Sequence, residues 1–178
     1  VCSSDLGHVE RVVIYSRLLA DKLELNEKNK KELVYGAYMH DIGKINIPKE
    51  ILNKNMPLTP NEWEIMKQHS VNGVEIIKSV ESLKEIAPLI LHHHERYDGN
   101  GYPDNLKGKD IPYLVGMLTV VDCFDAMTSS RPYNIRKTYK EAIEELKRCS
   151  GKQFDKEITD SFIEVIRENE NRIGNVDD

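Results

Sequence analysis

Apolar residues recur along this chain at the three- and four-residue spacing of amphipathic helices, with no convincing strand between them. Val9, Val12, Val13, Ser16, Leu19, Ala20 and Leu23 form one such stripe, which predicts a helix of about four turns. Asn26 is placed to cap the next helix, whose inward positions carry Leu33, Ala37 and Asp41, with His40 seven residues after Leu33. His40 and Asp41 are therefore expected to point inward. Thr59-Pro60-Asn61-Glu62 reads as a capping box with Pro60 in the first turn, and Leu58 is expected to staple to Trp63. Beyond it, Ile65, Met66 and His69 are expected to share one buried face.

Leu83, Ile86, Ala87, Ile90, Leu91 and His94 make a further stripe, in which Pro88 must kink or restart the helix. At about 100° per residue His92 falls opposite Leu83, whereas His93 and His94 stay on or beside the apolar side. From Ile111 to Met127 the chain is nearly all apolar, with Pro112 suited to the first turn and Asp122 and Asp125 as the acids on one face. A capping box from Thr138 to Glu141 leads into Tyr139, Ala142, Ile143 and Leu146. Asp155 can start a last helix carrying Ile158, Phe162, Val165 and Ile166. The expected fold class is all-α.

A length of 178 residues fits one domain and allows roughly 70% of the unfolded chain's surface to be buried, so no disulfide or structural zinc is needed. With 39% hydrophobic and 31% charged residues the chain is too apolar for disorder, and no stretch approaches a membrane span. Lys and Arg number 25 against 30 Asp and Glu, a net charge of −5, which argues against coating DNA or RNA. A small anion received by metal ions or a few local cations is compatible with that balance. Cys2, Cys123 and Cys149 are odd in number and widely spaced, so neither a disulfide framework nor a thiolate zinc site is expected, and a reducing cytoplasm is the default. Residues 1–7 are polar and aperiodic and read as translated adapter sequence, foreign to the domain expected at 8–178. The natural protein is then expected to continue N-terminally into a sensor or receiver domain.

Candidate chemistry comes from the histidines. The chain has six of them, and His8, His40, His69, His93 and His94 fall where burial is expected. One inward histidine is ordinarily structural. This many, together with Asp41 and Asp122, need compensation of roughly 1–3 kcal/mol for each unpaired polar group and more for a carboxylate. Metal ions supply it, and imidazoles with carboxylates but no thiolates suit iron, manganese, nickel or zinc in a catalytic site.

His40-Asp41 within His-Asp-Ile-Gly-Lys, followed by Ile47-Pro48 and Ile51-Leu52, resembles the HD superfamily of metal-dependent phosphohydrolases. His93-His94-Glu95, and then Asp98-Gly99-Asn100-Gly101-Tyr102-Pro103, resembles its HD-GYP branch. The resemblance runs from about Gly7 to Phe162 and continues through Asp122, Asp125, the Thr128 to Tyr133 run and Gly151 to Asp155. It implies an HD-type helical bundle with a metal site at its centre. It also implies a bacterial signalling phosphodiesterase that opens cyclic di-GMP to linear pGpG, in some members on to GMP, by attack of a metal-bridging hydroxide. The implied metal ligands are His8, His40, Asp41, His69, His93, His94 and Asp122, with Asp41 bridging two divalent ions, iron or manganese first and nickel or zinc as further candidates. Lys44, three residues after Asp41, is given a phosphate-binding or charge-stabilising role, and Arg131 can clamp phosphate through its planar fork. Tyr102 is assigned stacking on, or hydrogen bonding to, a guanine, and Asp98 the orienting of His or Lys groups beside the reaction.

Asp125 reads equally as a packing acid. Two positions depart from the family pattern: Asn134 stands where many members carry a basic residue, and Ser4 where some carry a glutamate for a third metal. The alternatives are hydrolysis of another cyclic dinucleotide, such as cyclic GMP-AMP, or of a nucleotide monophosphate, and a silent module binding nucleotide or protein. A homodimer is among the partners considered; membrane contact by this domain is not expected.

Overall fold

The computed structural model of the chain describes residues 3–129 and 136–173, and among them there are helices and turns with two isolated bridge pairs but no strand. The longer helices are α1 (Ser3–Lys22), α2 (Glu27–Met39), α4 (Pro60–Ile77), α6 (Tyr113–Thr128), α7 (Tyr139–Cys149) and α8 (Lys156–Ile173). Two short ones, α3 (Lys49–Leu52) and α5 (Ala87–His92), and the 3-10 turns Ile42–Asn46, Glu81–Ile86 and Gly108–Asp110 connect them. This is the all-α fold the periodicity predicts.

Helix α6 is the axis. It is apolar around most of its circumference, so it is stable only inside the protein, and α1, α2, α5, α7 and α8 all pack against it. Val115, Met117, Leu118, Val120, Val121 and Phe124 have no solvent exposure. Phe124 meets Tyr15 of α1 and Phe162 of α8 edge-on, at centroid separations of 5.4 Å each. The buried Tyr15 hydroxyl lies 3.2 Å from that of Tyr139 on α7. These contacts fix where α1 and α6 present their polar residues.

The local signals behave as chemistry requires. The Asn26 side chain accepts from the Asn29 backbone N–H at 2.9 Å, and Thr59 and Thr138 each form a complete capping box with Glu62 and Glu141. Pro88 ends a 3-10 turn and restarts the chain as α5. Asp155 accepts from the N–H groups of Glu157 and Ile158 at the start of α8.

One face departs from expectation. Ile65 is 41% exposed, while Met66 and His69 turn inward, because the buried stripe of α4 continues through Ser70, Gly73 and Ile77 and not along the Ile65 row. Trp63, expected to staple to Leu58, is 47% exposed and meets the ring of Tyr102 edge-on at 6.1 Å.

The 3-10 turn after α2 lies directly on α4. A Cβ at Gly43 would stand 1.9 Å from the His69 carbonyl oxygen and 2.5 Å from the Gly73 nitrogen, so only glycine allows this approach. That contact brings the end of α2, with His40 and Asp41, beside His69.

Candidate metal centre

Seven side chains from five helices, or from turns directly beyond them, converge between α1, α2, α4, α5 and α6. His8 comes from α1, His40 caps α2 with Asp41 following, His69 lies on α4, His93 and His94 follow α5, and Asp122 lies on α6. Asp41, His69, His93 and His94 form one group able to hold a metal ion, and His8, His40 and Asp41 a second, with the donor atoms of each within 4.8 Å of one another. Asp41 belongs to both. Asp122 borders the second group, 3.4 Å from His8 Nε2 and 3.8 Å from His40 Nε2.

The backbone sets which nitrogen faces inward. The Nδ1 atoms of His40, His69 and His93 donate to the carbonyls of Ala37, Met66 and Ile90, three residues earlier in each case, at 2.8, 2.7 and 2.9 Å. A carbonyl can only accept, so each Nδ1 carries a proton; the neutral rings of His69 and His93 present a bare lone pair at Nε2, and His40 does so once a cation displaces its second proton. The Nε2 atoms of His69 and His93 then face each other at 3.3 Å with no proton to share. His94 Nε2 is 3.2 Å from His69 Nε2, and the buried Nε2 of His40 has no hydrogen-bond partner. Lone pairs aimed into one buried space, beside carboxylates, fit a cation and are costly without one.

The electrostatics agree. Burial holds His69 below the usual histidine range, His93 well below it, and His94 down to about 3, where the His69 ring adds to the effect. Burial pulls His40 the same way, but Asp41 and then Asp122 outweigh it and lift the group to about 9. Burial also pushes the Asp41 carboxyl up, and His40 and Lys44 overcome it, holding the acid well below the usual carboxylate range. The site keeps its acid ionised, keeps three imidazoles neutral, and draws positive charge to His40, where a bound cation can replace the proton.

Lys44 lies in the 3-10 turn with its Nζ 2.5 Å from Asp41 Oδ2, and is partly exposed. Tyr102 stacks on His94 at 4.8 Å with an interplanar angle of 27°, and burial, then Asp41, raise its phenol. Gly101 lets the turn close, since a Cβ there would stand 2.4 Å from the Arg96 nitrogen; the Tyr102–Pro103 peptide is cis. His92, set apart by its helical phase, lies outside both donor groups, 3.8 Å from Glu95 and 3.7 Å from Asp104. Arg131, Asn134 and the rest of residues 130–135 lie outside the described residues.

The expectation that Asp98 orients a His or Lys of the cluster is corrected. Both of its oxygens are taken by Arg96, at 3.1 and 2.7 Å, and one also accepts from the Asn100 N–H at 3.0 Å. Arg96 first, against slight burial, holds its carboxyl down to about 2.

Two acids carry more of the arrangement than the sequence disclosed. Asp125, fully buried, accepts from His8 Nδ1 at 2.7 Å, Arg11 Nε at 2.6 Å and the Ser129 hydroxyl at 2.9 Å. Its spacing three residues after Asp122 was the available signal. Glu95, also buried, accepts from the N–H groups of Asp104 and Leu106 at 2.7 and 3.0 Å and so closes the turn that carries Tyr102.

Among proteins of known activity, the chain is 42% identical over 163 residues to a cyclic di-GMP phosphodiesterase of Thermotoga maritima, covering 90% of this chain and 44% of that protein. It is 36% identical over 160 residues to a 3'3'-cGAMP-specific phosphodiesterase of Vibrio cholerae, covering 89% of this chain and 31% of that one. The chain thus spans under half the length of these relatives. Its fold resembles an HDG"Y"P protein from Bdellovibrio bacteriovorus, with a TM-score of 0.71 at 21% identity, covering 90% of this chain and 51% of that one. A family model described as the HD domain matches residues 3–158. With that span matched and the His40-Asp41 pair at the centre of the cluster, the chain belongs to the HD domain family.

Proposed function

We propose that this chain is a metal-dependent phosphodiesterase that opens cyclic dinucleotides, cyclic di-GMP first among them, to their linear form, pGpG in that case. The single observation that carries the reading is the sharing of Asp41 between two donor groups whose imidazole lone pairs are already turned inward. His8, His40, Asp41, His69, His93, His94 and Asp122 would hold two divalent cations, iron or manganese by preference and nickel or zinc as compatible substitutes for a nitrogen and oxygen donor set. Such a pair supplies an acidified water as nucleophile and positive charge against the phosphoryl oxygens.

The chain's own residues do the rest. Carbonyl bonds from Ala37, Met66 and Ile90 hold the imidazoles in one tautomer and orientation, so no reorganisation accompanies the chemistry. Lys44, resting on Asp41 at the border of the cluster, receives a non-bridging phosphate oxygen as negative charge develops there. Tyr102, stacked on His94 at the outer side of the cluster, keeps its proposed role of stacking on, or hydrogen bonding to, a guanine. Arg131 keeps its proposed role as a phosphate clamp on the chemistry of its guanidinium alone. The names of the Thermotoga and Vibrio relatives support a cyclic dinucleotide substrate and make cyclic GMP-AMP the comparator.

Protein loaded anaerobically with manganese or ferrous iron is to be mixed with cyclic di-GMP or 3'3'-cGAMP, and the products separated by ion-pair chromatography. Linear dinucleotide should appear, faster from cyclic di-GMP, and Asp41→Asn should abolish it. Turnover that survives Asp41→Asn would overturn the mechanism; faster turnover of 3'3'-cGAMP would reassign the substrate.

A further inference from the structure

Trp63 is the only tryptophan of the chain, and it stands 47% exposed on the second turn of α4. Leaving an indole in water forgoes the burial that usually holds this side chain, so the position asks what covers it. Its neighbours lead into the metal centre. The indole meets Tyr102 edge-on at 6.1 Å and 80°, and Tyr102 in turn stacks on His94 at 4.8 Å. Lys67, one helical turn after Trp63, places its Nζ 5.9 Å from the Tyr102 ring centre and 2.8 Å from Glu64. An exposed aromatic face, a cation and the cluster are therefore contiguous on one side of the site.

Tyr102 has its ring packed on His94, with Trp63 and Lys67 against it, so much of its aromatic surface is already engaged. Trp63 has surface to offer. A cyclic dinucleotide carries its bases beyond the phosphates, and a phosphate at the cluster leaves a base to find an aromatic face at the rim.

We infer that Trp63, with Lys67 beside it, is the platform on which one nucleobase of the cyclic dinucleotide stacks, and that Tyr102 is the wall between that base and the metal-binding histidines. Stacking is tolerant of base identity, because each base offers a π-face, so this subsite gives affinity while discrimination between guanine and adenine lies elsewhere. Lys67 contributes a cation near the ring and the sugar-phosphate path. The inference rests on the phosphodiesterase reading and adds to it the residue that holds the base.

The test uses the sole tryptophan as reporter. Metal-loaded protein is titrated with a phosphorothioate analogue of cyclic di-GMP that resists hydrolysis, while tryptophan emission is followed and calorimetry gives the dissociation constant. A saturable change in emission is expected, with Trp63→Ala weakening binding by about tenfold or more. Trp63→Phe, which keeps an aromatic face, should recover most of that loss. In turnover of cyclic di-GMP, Trp63→Ala should raise KM by a similar factor while kcat changes far less, since the indole touches no reacting atom. Unchanged emission at saturation, or a dissociation constant for Trp63→Ala within twofold of the parent's, would overturn the platform. Wild-type turnover of cyclic di-GMP with unchanged emission would sink the platform and leave the phosphodiesterase standing. Emission change and weakened binding without any turnover would do the reverse.

Discussion

Asp125 accepts a hydrogen bond from Nδ1 of His8 at 2.7 Å, and this turns the other ring nitrogen of His8 to within 3.4 Å of Asp122. The acid has no solvent exposure, and burial alone would push its carboxyl up; hydrogen bonds from His8 and then Arg11 hold it below its ordinary value. A carboxylate behind a ligating imidazole fixes the tautomer and raises its basicity, and its loss typically weakens metal binding about 10- to 100-fold. Asp125→Asn keeps the shape but turns an amide N–H2 toward a group that must donate. Bound metal, measured by mass spectrometry after dialysis, should fall from about two ions per chain toward one, because only the group containing His8 loses its support while the His69, His93 and His94 group keeps its own. Two ions retained with parental affinity would count against this role.

Glu95 supports the site from the other side. It is 1% exposed and accepts two backbone N–H groups, from Asp104 and Leu106, across the turn that carries Tyr102. Glu95→Gln leaves one acceptor oxygen and sets an N–H2 against the other N–H, a buried mismatch that costs about 1–3 kcal/mol. The change should appear first as faster amide hydrogen exchange at 104 and 106, then as a lower urea midpoint, with the histidine cluster still binding metal. Exchange at parental rates would mean that the turn closes without the carboxylate.

Much of this arrangement was legible in the chain because helix phase is local. The stripes from Val12 to Ala20 and through Leu33 and Ala37 are buried as expected, and the caps at Asn26, Thr59 and Thr138 form. The same phase separates His92 from His93, and the structure keeps that difference. What sequence could not supply was contact between distant residues. Asp125 reads as a packing acid until α1 brings His8 and Arg11 to it across 117 and 114 residues. Ile65 looked buried because phase cannot say which neighbour a helix will meet. Asp98 looked catalytic for its place in a motif, yet Arg96 takes it.

The glycine that allows α2 to end against α4 should tolerate no side chain. A Cβ at Gly43 would meet the His69 carbonyl at 1.9 Å and the Gly73 nitrogen at 2.5 Å, both of them backbone atoms that cannot rotate away. Gly43→Ala must push the turn off α4 and carry Asp41 away from His69, now 3.5 Å apart. Overpacking of this kind costs about 3 kcal/mol. Chemical denaturation should show a loss of that order together with weakened metal binding, whereas Gly99→Ala, at a position with φ of +81° beside the flexible Lys107 side chain, should strain the turn and spare the α2–α4 contact. A Gly43→Ala protein with parental stability would refute the close approach.

Removal of metal should cost stability as well as activity. The bare Nε2 atoms of His69 and His93, 3.3 Å apart in a site where burial suppresses their protonation, have no partner that water or protein supplies as well as a cation does. An ion that binds only the folded state adds about 2.7 kcal/mol at a free concentration of 100 times its dissociation constant. For a domain of this length that corresponds to a Tm higher by about 5–10 °C. Differential scanning calorimetry of chelated protein, with manganese then restored, should show the drop and its recovery. Asp41→Asn removes the carboxylate common to both donor groups, so its Tm should respond to manganese by a small fraction of that amount. Equal Tm values for chelated and manganese-loaded wild-type protein would show that the imidazoles converge for packing and not for metal.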